Sequence, residues 1–331
     1  MKFTAMILAA IGMGFPDPPR LLVFSGQPAG VYHHDGIDYA LEMLKTLAPK
    51  AGFNYDTSTD YSVFTEANLG KYQAVMMNCN CRENRMFTLP ERAALEGFIH
   101  KGGGWAGTHC AAAIDIDIGW SWYTNLVGAV HRQHTDGSQP GVLRVEDRTH
   151  ASTAHFTSTT WNLSKEELYF FLKDPAPAWK ANSALPKVNV LLTFVSWGNG
   201  QTKPPAGAKA DSSDLGAMAW YHEFEGGRAW YTGLGHENWL FHDSLYIKHI
   251  MGGLRYVLKL DGPIAVGEKP ALHPKIRDAR TWMGGTGYAA PLFPELAGYR
   301  RFDVRGGRVH ELASVGMRGT PTPIFILPAV P

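Results

Sequence analysis

Residues 88–113 read TLPERAALEGFIHKGGGWAGTHCAAA, and how they are read decides the fold. Thr88 and Glu91 have capping-box spacing, Pro90 lies in the first turn, and three glycines, 102–104, stop the helix. WAGT (105–108) is then a short apolar strand that turns at His109. Just upstream, QAVMMN (73–78) is apolar without alternation, the pattern of a strand buried on both faces. Strand, helix and strand in this order make a parallel pair. The glycines precede the strand and no Lys-Ser/Thr pair follows them, so they form a turn rather than a phosphate loop.

The same alternation extends in both directions. LLVFSG (21–26) reads as a strand, Ile37, Ala40, Leu41, Leu44 and Leu47 keep helical spacing, and FNYDTS (53–58) alternates as a second strand. Downstream, GVLRVED (141–147) and VNVLLTFVSWG (188–198) read as strands. Residues 217–235 form a hairpin around a glycine turn, and Ile247, Ile250, Met251, Leu254, Val257 and Leu258 mark a closing helix. The expected fold is α/β, a mostly parallel sheet with helices on both faces. Residues 1–19 are an extension or a short signal peptide, 20–260 the main domain, and 261–331 a Pro/Gly-rich, irregular C-terminal extension.

Composition narrows the function classes. Of 331 residues, 45% are hydrophobic and 18% charged, which suits a soluble chain with a sizeable core. A formal charge of +1 leaves no electrostatic footprint for nucleic acid. No apolar run is long enough to span a membrane. Three cysteines, Cys79, Cys81 and Cys110, give no disulfide framework and no C-x-x-C pair. The signal-like start and the sequon Asn162-Leu163-Ser164 leave secreted and cytoplasmic locations both open. Nothing in the sequence sets an oligomeric state.

Fourteen histidines are many, and several fall at expected loops or strand ends: His33 and His34, His109, His131 and His134, His150, His236. In parallel sheets, loops at the strand carboxyl ends share one crevice, so several of these are expected to converge. A neutral His there can act as a base, donate to an oxyanion or ligate a metal.

Seven pieces in order make the chain resemble a known family: VFSGQPAGVYHHDGI, DYSVFTEANLGKYQAV, GFIHKGGGWAGTHCAA, WSWYTNLVGA, VEDRTHASTAHF, EELYFF and GGRAWYTGLGHEN. It is similar to the ThuA-like (trehalose utilisation) family of the class I glutamine amidotransferase-like superfamily. The resemblance implies a flavodoxin-like three-layer sandwich and a link to carbohydrate metabolism. In the amidotransferases the elbow residue is a cysteine. Here AGTH puts His109 at the elbow and Cys110 one step past it, so glutamine hydrolysis is not expected and Cys110 is expected in the sheet–helix packing. His109 is expected at a helix N-terminus, whose dipole would keep the ring neutral.

The expected site therefore has His109, His134, His236 and Glu167 as catalytic groups, with His34, His150, Trp122, Tyr123, Tyr169 and Glu237 binding substrate. Trp122 and Tyr123 are the sugar-stacking candidates. The expected activity is His-based acid/base chemistry on a sugar, keto-sugar or oligosaccharide, by hydrolysis, isomerisation or elimination. Alternatives are a non-catalytic sugar-binding module and a metal-dependent hydrolase. No cofactor or metal ligand set is assigned, because His131-x-x-His134 reads as a loop, although several His and a carboxylate leave a divalent metal open.

Overall fold

The computed structural model describes residues 17–27, 32–80, 87–113, 120–171, 187–198, 203–204 and 216–260, and the backbone of 299–302 and 325–328. The chain divides into two units, 1–272 and 273–331.

The first unit is a mixed α/β fold around one nine-stranded sheet, consistent with a flavodoxin-like architecture. Strands β1 (Arg20–Phe24), β2 (Asn54–Ser58), β3 (Ala74–Asn78), β4 (Gly104–Thr108) and β11 (Gly227–Thr232) pair in parallel, in the order β2-β1-β3-β4-β11. Beyond β11 the sheet continues antiparallel through β10 (Gly216–Phe224), β9 (Asn189–Trp197), β6 (Gln139–Val145) and β7 (Thr160–Glu166). A separate pair joins β5 (His131–His134) to β8 (Tyr169–Phe171).

Alternation along β1 explains the layers. Leu21 and Val23 face a core shared with α1 (Asp35–Leu47) and α5 (Ser244–Val257). Leu22 and Phe24 face another, shared with α3 (Leu89–His100) and α4 (Ser121–Val127). A four-residue helix, α2 (Glu66–Leu69), precedes β3. All five residues of β3 and of β4 are buried, as strands covered on both faces must be. The capping box on α3 is present, with the Thr88 N–H donating to Glu91 at 2.7 Å.

Three readings need correction. HRQH (131–134) is strand β5, not a loop. His109 opens a four-residue 3₁₀ turn, His109–Ala112, so no long helix aims its dipole there; His34, the residue before the 13-residue α1, holds that position instead. In the second unit, β12 (Tyr299–Phe302) and β13 (Phe325–Pro328) pair antiparallel, where the sequence reads as irregular. The remainder of 261–331, and residues 1–16, lie outside the described residues. No helix among the described residues is long and apolar enough to cross a membrane.

Candidate functional site

The sheet register builds the site. Asn78, Thr108 and Thr232 stand side by side at the carboxyl ends of β3, β4 and β11. The next residues, Cys79, His109 and Gly233, therefore share one rim. Chain order reverses between β1 and β3, so this rim borders a topological switch point. Cys79 and His109 both have positive φ, 53° and 46°. Non-glycine residues adopt this conformation at a cost of about 1–3 kcal/mol, and it is concentrated at functional turns.

His109 is fully buried. Its Nδ1 lies 3.0 Å from the Gly233 carbonyl oxygen, which can only accept, so Nδ1 carries a proton. Its Nε2 lies 3.1 Å from Glu167 Oε2. The other oxygen of Glu167 is 3.2 Å from His134 Nδ1, which also donates to the Thr135 carbonyl at 2.8 Å. Pairing of β5 with β8 sets this up, because His134 stands opposite Tyr169, two residues past Glu167. Burial pushes the Glu167 carboxyl up, but the bonds from His109 and His134 outweigh it and hold it well below the usual carboxylate range. The same bond to Glu167 raises His134.

Two more imidazoles close on this clamp. The rings of His34, His109 and His236 lie 5.1–5.4 Å apart, centroid to centroid. Burial, helped by the neighbouring His109 and His236, pushes His34 down to about 3. Burial and His109 also lower His236. Tyr169 is buried against His109 at 4.1 Å, with its hydroxyl 3.1 Å from the Cys110 sulfur. Glu237 accepts from Ser138 at 2.6 Å and Lys165 at 2.7 Å, and stands 3.6 Å from His236 Nδ1.

The approach of His34 to His236 depends on Gly36. A Cβ there would fall 1.9 Å from the Gly235 carbonyl oxygen, and Gly235 itself has φ of 131°. Backbone meets backbone, so neither side can yield by a rotamer change. Gly36→Ala is expected to cost about 1–3 kcal/mol, read as a lower urea midpoint; an unchanged midpoint would mean that α1 does not need this contact.

Other expected site residues lie elsewhere. His150 bonds to Ser152 Oγ at 2.8 Å, stacks on Tyr221 and meets Tyr256 edge-on. Tyr256 O accepts from Arg228, which pairs with Gly104 at the start of β4, so His150 belongs to the opposite end of the sheet. Trp122 donates to Glu225 at 2.6 Å, in the β10–β11 turn at that same far end. Tyr123 is buried, its ring edge-on to Trp105 and its hydroxyl on the Ala111 carbonyl. None of the three reaches the pocket: α4, which carries Trp122 and Tyr123, packs on the sheet with Trp105 and Tyr231, and His150 lies at the far end. Cys110 is buried beside Ile37, Cys79 and Tyr169 behind the pocket, and it is disulfide-bonded. It therefore offers no thiolate for amidotransferase chemistry.

The structure adds residues that the motifs did not single out. Tyr32, 66% exposed, lies parallel to the His236 ring at 6.3 Å and edge-on to His34 at 5.0 Å. Its signal was its place beside His33-His34. Glu166 is fully buried and accepts the N–H groups of Gly235, His236 and Glu237 at 2.8–3.2 Å. Burial outweighs those bonds and raises its carboxyl to about 8. It fixes the backbone that carries His236. The ligand atoms of His34, Glu167 and His236 lie within 4.8 Å of one another, a set that could hold a cation.

The profile of the ThuA family, described as trehalose utilisation, matches residues 20–257. A thua-like protein of Bacteroides uniformis is similar at 24% identity, over 76% of this chain and 96% of its own, with a TM-score of 0.57. Another, from Parabacteroides merdae, is 16% identical over 77% of this chain and 94% of its own, with a TM-score of 0.53. At these identities the likeness shows the fold. No curated protein matches the chain.

Proposed function

This chain belongs to the ThuA, or trehalose utilisation, family, which supports a role related to trehalose utilisation, and we propose that it acts on a sugar or keto-sugar by histidine-based acid/base chemistry. The observation that carries this reading is the clamp on Glu167, one oxygen on His109 and the other on His134, beside His34 and His236.

His236 is the base in this proposal. Its ring is partly open to solvent, at 21% side-chain exposure, and is held neutral by burial. It can take a proton from a substrate hydroxyl or carbon acid, and the Glu167 anion stabilises the imidazolium that results. His109, with both ring nitrogens engaged and no exposure, positions Glu167 rather than touching substrate. Tyr32 supplies the flat, exposed face on which a sugar ring stacks, the role expected of Trp122 and Tyr123 from sequence.

A screen of keto-sugars and oligosaccharides with wild type and His236→Ala tests this. The variant is expected to turn over about 10²–10⁴-fold more slowly, the range that a positioned acid/base supplies. Equal turnover by both removes the role of His236. Sugar binding by the wild type without any turnover replaces the enzyme with a binding module.

A further inference from the structure

We propose that His34, Glu167 and His236 form a binding site for one divalent first-row transition ion. The donors come from three separate elements: the residue before α1, the β7–β8 connection and the loop after β11. Their ligand atoms nonetheless lie within 4.8 Å of one another. Two imidazoles and one carboxylate, with positions left for water or substrate, form the donor set of catalytic zinc and of other borderline cations. Bonds of about 2.0–2.1 Å put tetrahedral ligands about 3.4 Å apart, so small side-chain rotations close the site.

The surroundings match what metal ligands require. Each Glu167 oxygen meets one imidazole, His109 on Oε2 and His134 on Oε1, and an ionised carboxylate keeps further lone pairs for a cation. Ligating carboxylates that are themselves hydrogen-bonded are oriented in this way. Glu166 fixes the His236 backbone through three N–H bonds. Gly36 lets α1 come close enough to bring in His34. The neighbouring set of His34, Cys79, His109 and Cys110 is less suited, since Cys110 is disulfide-bonded and both His109 nitrogens are engaged.

This site shares His236 with the proposed sugar chemistry, and the ring's one lone pair serves either the ion or a substrate proton, so the base role belongs to the ion-free chain; the test needs no sugar. The full chain, stripped with chelator and dialysed, is titrated with Zn²⁺ at pH 7.5 by calorimetry, with elemental analysis for stoichiometry. One ion per chain is expected, together with a Zn²⁺-dependent rise in Tm. His34→Ala and the more accessible substitution His236→Gln are both expected to lose uptake and the Tm rise, with far-UV circular dichroism retained. His150→Ala, at the far end of the sheet, is expected to bind as wild type does. Overturning results are no stoichiometric uptake by the wild type, or unchanged uptake when His34 and His236 are both replaced. Turnover of a sugar by a chain that takes up no ion would overturn this proposal and leave the acid/base reading standing. Uptake without turnover would do the reverse.

Discussion

Glu167→Gln is expected to lower kcat/KM on whichever sugar the wild type turns over by about 10²–10⁴-fold, together with a partial loss of stability, because the carboxylate that His109 and His134 hold ionised in the fold is gone. The substitution keeps shape and removes charge. His109 Nδ1 still donates to Gly233, and its Nε2 can accept from the new amide. His134 Nδ1 can still donate to the amide oxygen and to Thr135. The hydrogen-bond pattern therefore survives, while the anion that stabilises a protonated His236 is gone. Paired kinetics and urea unfolding check this. Loss of the folded state at the assay temperature would make Glu167 a structural residue, and unchanged kcat/KM would remove it from the chemistry.

Acid is expected to destabilise the protein steeply from about pH 6.5 downward, well above the range in which carboxylates titrate. Burial pushes His34, His150 and His249 down to about 3, about 4 and about 3 respectively. All three are buried, His249 completely. In the unfolded chain each titrates near 6.5, so between that pH and the folded value the unfolded state binds more protons. Stability is then present above the unfolded value and is lost as pH falls. His131 and His155, each pushed down to about 4 by burial, act with the same sign, while Glu166, raised to about 8 by burial, offsets one of the five. Each group contributes up to about 1.4 kcal/mol per pH unit, so at pH 5 the net loss is several kcal/mol of a typical 5–15. Glu167, whose pKa is depressed, adds a loss of the same sign below its unfolded value near 4.5. Urea midpoints at pH 7.5, 6.5 and 5.5 measure the slope. His249→Gln is expected to flatten it by at most about a quarter, as one of five such rings set against the opposing Glu166. A midpoint constant across that range would show that these rings are not held neutral in the fold.

Much of the parallel half was legible because its signals are local. QAVMMN, the capping box at Thr88 and the glycines at 102–104 each state their structure within a few residues, and β3, α3 and β4 stand where those signals put them. The antiparallel extension was less legible. Strand β7 carries the polar stretch TWNLSKE, whose buried positions depend on partners in β6. Strand β5, HRQH, is polar throughout, and only its pairing with β8, 35 residues away, makes it a strand.

For the site, the sequence by itself determined that His109 ends a central strand at a strained turn, since strand length and turn chemistry are local, and the register of β3, β4 and β11 aligns that turn on one rim. It also supplied the residue types: imidazoles in several loops and a pair of adjacent glutamates. Only the tertiary structure decided which of them meet. It put Glu167 between His109 and His134 and its neighbour Glu166 under the His236 backbone, although the two glutamates are chemically identical in sequence. It sent His150, Trp122 and Tyr123 away from the pocket and brought Tyr32 over it. The physical reason is that strand ends are set by short-range patterns, whereas convergence of loops depends on contacts such as Gly36 against Gly235, between residues about 200 positions apart, which leave no periodicity in the chain.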